Sequence, residues 1–323
     1  MAIDDTFGFW ILLVFLIPSI ICGIFDLYHF IFGRTLRQAL YNHLIIVILF
    51  FCLIFECTAI FWLVYNYGTG HPLSSTETFC FIWHFIDHTG FLLVTILVAW
   101  ASIERHILIF HDKWLLTRRK LFFIHYFPII ILIVYSILFY IIAFFVLPWK
   151  YTFNYLEIQC GYNEALFSPQ IIAVWDSVVN TILPALIIVI FNIALVFRVL
   201  YQKHRLNQKI KWKNYRKMAI QMLSISSIYF CLYFIPMILY TAYALGLSRR
   251  FAHDYYDASL YLFYFIIILM PFICTVSLPE LRAKFRINIQ RNQQQIQYID
   301  VPQLLNIIRR TFHRSIAVRP INQ

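Results

Sequence analysis

Five side chains of one apolar stretch have types and spacings that suit chemistry: Cys80, Asp87 and the triplet Glu104-Arg105-His106. Asp87 and Arg105 are 18 residues apart, five full turns of an α-helix, so both point to one face. Cys80 lies 7 residues before Asp87, close to the same face. From Cys80 to Arg105 a helix rises about 37 Å, somewhat more than a bilayer core of about 30 Å. One helix would carry a cysteine outside, an acid in the outer part of a membrane and an arginine at the inner surface. An acid inside a span is costly and marks a functional site by default. A second group of polar residues, Asp176, Ser177 and Asn180, interrupts a later apolar stretch.

These residues must be positioned by membrane helices. The chain has 323 residues, of which 62% are hydrophobic and 13% charged, and the mean hydropathy is +0.74. A soluble domain of this size needs more polar surface than that. Seven apolar spans are expected, at 10–32, 43–67, 79–103, 122–147, 171–200, 217–247 and 255–278. Few glycines and no alternating strand pattern favour helices over a barrel. The net charge of +11 is distributed as a topology signal rather than a nucleic-acid surface. Of 26 Lys and Arg, 23 fall in one alternate set of loops and the tail; only Lys150, Arg249 and Arg250 fall opposite. The positive-inside rule then puts the amino terminus outside and the tail inside. The expected fold class is an all-α membrane protein, a seven-helix bundle. Residues 1–290 form the bundle domain, with a short surface helix at 280–286, and 291–323 form a cytoplasmic tail.

Of seven cysteines, only Cys80 and Cys160 fall near the outer surface, where oxidation is permitted. They form one disulfide or are two unrelated thiols. The outer amino terminus, about nine residues, is too short to hold a ligand alone, so a ligand should be small and bind within the helices.

The chain resembles the rhodopsin-like family of G protein-coupled receptors over about residues 10–290. The family has a cysteine near the outer end of helix three and, 25 residues later, the arginine of an Asp/Glu-Arg-Tyr triplet; here these are Cys80 and Glu104-Arg105-His106. Pro184, Pro236 and Phe230 also match. There are departures. Phe234 stands for the usual tryptophan of helix six, and Met270-Pro271-Phe272-Ile273-Cys274 for Asn-Pro-x-x-Tyr. With Asn42 opening helix two, Cys52 replaces the aspartate of the family's sodium site. Glu56, one turn outward, is either its substitute or a neutral, satisfied side chain.

The resemblance implies a plasma-membrane receptor that activates a heterotrimeric G protein through Glu104, Arg105 and His106. It places Asp87 where the family pairs an aspartate with a ligand ammonium, and Tyr264 where a tyrosine supports that aspartate. Asp176, Ser177, Asn180 and Phe234 would face the same pocket, as would His88. The expected partners are a small cationic amine or a short peptide, the G protein and the lipid bilayer, with no nucleic acid. The competing reading of Asp87 and Asp176 is bonding to His84, His88 or loop residues. No acid closes the inner end of helix six (Asn214-Tyr215-Arg216-Lys217), so appreciable basal signalling is expected, with Glu104 as the local partner of Arg105. No cofactor is expected. Span seven has no lysine, which a retinal Schiff base would need.

An alternative is a seven-span intramembrane metal-dependent hydrolase, because His84 and His88 have metal-ligand spacing on one helix face. It would need a third ligand from another helix. Neither a phosphate loop nor a nucleophile elbow nor a metalloprotease motif is present, and an enzyme is not expected.

Overall fold

A computed structural model of the chain describes residues 5–38, 40–110, 117–147, 153–161, 170–205, 223–248 and 250–277. Among these there is no strand, and seven helices are long and apolar enough to cross a membrane. They are α1 (Thr6–Phe32), α2 (Asn42–Thr69), α3 (Glu77–Phe110), α4 (Arg118–Val146), α5 (Ile171–Tyr201), α6 (Leu223–Tyr243) and α7 (Asp254–Val276). The expected short helix at 280–286, the tail, and the inner end of helix six lie outside the described residues.

The seven-helix bundle expected from composition is therefore the fold, and the protein is a multi-pass membrane protein. α3 and α7 are the most enclosed helices, whereas α4 and α5 are among the least. The pattern follows from residue type. The outward face of α4 carries Ile130, Ile131, Val134 and Leu138, all exposed, and lipid is the medium that suits them. α3 is instead buried at Cys80, Trp83, Asp87, Leu93, Leu97 and Glu104, so it forms the axis. Its close approach to α2 depends on Gly90. A Cβ there would sit 2.1 Å from the Phe55 ring, which itself is buried and stacked on Tyr264.

Several helices widen into π-turns, and those over Phe122–Tyr126, Asp176–Ile182 and Phe230–Phe234 each end two residues before a proline. Pro184 has no N–H to return to Asn180, and α5 opens into a π-turn over Asp176–Ile182. Pro236 does the same to Leu232, and α6 widens over Phe230–Phe234. α2 has a π-turn at Glu56–Ile60. Each wide turn takes in an extra residue and rotates the neighbouring faces. α7 is interrupted at Leu269, just before Pro271.

Candidate ligand cavity and the opposite end of the bundle

The Cys80 end of the bundle holds a cavity of about 520 Å³. Cys80 and Cys160 form a disulfide with their Cα atoms 5.9 Å apart, so the expected pairing is present. This bond ties the loop of residues 153–161 to the top of α3. Gln159, Cys160 and Gly161 all have positive φ (55°, 61° and 81°), costly for the first two. The disulfide and the bond from Asn154 N to Cys160 O (2.8 Å) hold that shape. The result is that Gln159 enters the cavity and donates through Nε2 to Tyr264 Oη.

Tyr264 Oη in turn donates to Asp87 Oδ1 at 3.0 Å, joining α7 to α3. Asp87 is 9% exposed and lines the cavity. From α5, Asp176 (8% exposed) lines it too. Asp176 Oδ1 accepts from Tyr140 Oη of α4 at 2.9 Å and from Asn180 Nδ2 at 2.8 Å. Tyr135 Oη donates to Asn180 Oδ1 at 2.6 Å. Asp176, Ser177, Asn180 and Thr181 all lie in the π-turn of α5 and are buried together. Both carboxyl groups accept from neutral donors, and among the described lining residues there is no Lys or Arg.

His88 also lines the cavity, 5.7 Å from the Tyr140 ring between centroids. His84 bonds to the backbone of Gly161 and Gln159 and stacks on Phe153, so it anchors the loop. The histidines are not the partners of Asp87 and Asp176 in the bonds above. Among the described residues, no three His, Cys, Asp or Glu side chains converge as a metal site.

Phe234 does not line the cavity. Its ring stacks on Phe230 at 5.5 Å, while Tyr233 turns inward instead. The cause is the π-turn before Pro236, which rotates the helix face relative to a regular count from that proline. Sequence reasoning also missed Gln159, Tyr140 and Tyr135. Gln159 carried one usable signal, its position beside a disulfide cysteine. Tyr140 and Tyr135 lie in an unbroken apolar run with no marker of their own.

At the opposite end, the Glu104-Arg105-His106 triplet is arranged differently from expectation. Glu104 is buried and accepts from His125 Nδ1 of α4, so its described partner is His125 and not Arg105. His125 is 0% exposed. His106 Nε2 bonds to Phe191 O of α5 at 2.7 Å. Arg105 reaches towards α7, close enough to Cys274 to act on it electrostatically. The basic residues Arg34, Arg37, Arg118, Arg119 and Lys120 gather at this end, as the charge pattern requires.

No protein-family model matches the sequence, and no curated protein matches it.

Proposed function

We propose that this protein is a plasma-membrane receptor of the rhodopsin-like G protein-coupled type, activated by a small cationic ligand. The observation that carries the reading is the Tyr264–Asp87 bond at a cavity that is also lined by Asp176. Two buried carboxyl groups with neutral donors, and no Lys or Arg among the described lining residues, leave room for positive charge from a ligand. A cationic amine would pair with Asp87, and Asp176 with Asn180 would take a second polar or cationic end. The Tyr140, Tyr233 and Tyr256 rings would add cation–π attraction. A short peptide with a basic residue meets the same requirements.

Signalling would be a population shift. A ligand that binds an open bundle better exposes Arg105 and the basic loops to a heterotrimeric G protein. Glu104 is engaged by His125, and the sequence offers no acid at the inner end of helix six. With no acid in that stretch of sequence, appreciable basal signalling is expected. Cells expressing the protein should raise nucleotide exchange on at least one G protein class above mock-transfected cells without added ligand. Equal exchange across every class, with the protein verified at the surface, would count against the receptor reading.

A further inference from the structure

Away from the ligand cavity, α1, α2 and α7 meet at Ser19, Glu56 and Ile268. We infer that Glu56 is a neutral carboxylic acid, and that its proton is a bound ligand closing this three-helix junction. The inference stands independently of the receptor reading.

It rests on counting protons. Ser19 Oγ lies 2.7 Å from Glu56 Oε1 and 2.7 Å from the Ile268 carbonyl oxygen. Both distances are those of hydrogen bonds between oxygens. A hydroxyl has one proton and can donate only once, and a carbonyl oxygen cannot donate. If Ser19 donates to Ile268, the contact with Glu56 needs a proton on Glu56. If Ser19 donates to Glu56, two bare oxygens face each other at Ile268. Only a protonated Glu56, donating to Ser19 while Ser19 donates to Ile268, satisfies both contacts. Glu56 Oε2 has no partner and is buried, an arrangement that a neutral carbonyl oxygen tolerates far better than a carboxylate does.

A neighbouring network provides the contrast. Cys22 Sγ lies 2.9 Å from Thr275 Oγ1, and Thr275 Oγ1 donates to Asp26 Oδ1 at 2.7 Å. There the thiol and hydroxyl supply two protons for two bonds, and Asp26 need carry none. The same counting requires a proton on Glu56 and sets no such requirement on Asp26, whose Oδ2 is also buried without a partner.

The backbone explains why this junction exists. α2 widens into its π-turn at Glu56, and α7 is interrupted at Leu269, next to the Ile268 carbonyl. Pro18 and Pro271 flank the two partners in sequence. The groups facing Glu56 are uncharged or engaged elsewhere. Cys22 on α1 and Cys52 and Cys57 on α2 interact with it electrostatically, and Cys52 also feels Cys274 of α7. Asp26 accepts from Thr275 through Oδ1, while its Oδ2 is buried without a partner. None of these supplies the missing proton. Loss of the proton would leave the Ser19 hydroxyl one proton for two acceptors, so one of its two links, to Glu56 of α2 or to Ile268 of α7, would be lost.

Infrared spectroscopy of the full-length protein in lipid, at neutral pH, tests this. The wild type should show a protonated-carboxyl C=O band that Glu56→Gln loses and Ser19→Ala shifts. Carbon-13 labelling of glutamate in the unmutated protein should move the same band, which covers the case of a variant that fails to fold. A protonated-carboxyl band unmoved by the glutamate label would overturn the inference. So would a Glu56→Gln variant that keeps the whole band and loses carboxylate absorption instead.

Discussion

Replacing Cys80 with serine is expected to destabilise the folded bundle by about 4 to 5 kcal/mol. The estimate follows from the chain entropy released when a loop of this size is opened, the two cysteines being 80 residues apart. The loss also reaches the cavity. Gln159 and Cys160 keep positive φ only because the loop is pinned on both sides, and relaxing them withdraws Gln159 from Tyr264. Thermal unfolding in detergent, together with surface labelling of intact cells, measures both parts. Cys160→Ser should match Cys80→Ser, and the double variant should be no worse than either, because the two changes remove one bond. A Cys80→Ser protein with wild-type stability and surface level would mean that the disulfide does not hold this end of the bundle.

The second large effect is expected at the other end. His125→Ala removes the donor to Glu104 and leaves its carboxyl group buried between α3 and α4. Breaking a buried pair from one side costs on the order of 3 kcal/mol. His125→Gln, which keeps an N–H donor, should recover much of it. The receptor reading adds a readout that packing alone would not move. Glu104, released from His125, becomes available to its neighbour Arg105, so ligand-free signalling per surface molecule should fall in His125→Ala. If stability drops while basal signalling per molecule is unchanged, the pair is structural and has no part in restraining Arg105.

The sequence reveals some parts of this molecule and hides others for physical reasons. The outer part of α3 is readable because helical spacing sets which residues share its face, and Cys80 and Asp87 are both buried as that spacing requires; at the inner end the buried residue is Glu104, one position from the Arg105 that the spacing selects. The disulfide is readable because a compartment rule leaves two cysteines to pair. The Asp87–Tyr264 pairing is readable only through resemblance, since nothing local links residues 177 positions apart. Three features escape for distinct reasons. Tyr233 replaces Phe234 at the cavity because a π-turn shifts the register upstream of Pro236, and a count of residues assumes a regular helix. His125 sits in α4 without any pattern that points to Glu104. The seam formed by Ser19, Cys22, Asp26, Glu56 and Thr275 joins helices through single polar residues in long apolar runs, and their facing is set by helix rotation. In part, that seam occupies the middle of the bundle, where the resemblance leads one to expect a different polar relay.

The most direct test of the account is a signalling and binding screen of small amines and short basic peptides on the wild type beside Asp87→Asn. Asparagine keeps the size and an acceptor for Tyr264 but removes the charge. A cationic ligand that activates the wild type should lose about 10- to 100-fold in potency on Asp87→Asn, the worth of one charge-assisted bond. Equal potency of that ligand on the two proteins, at matched surface expression, would contradict the central claim.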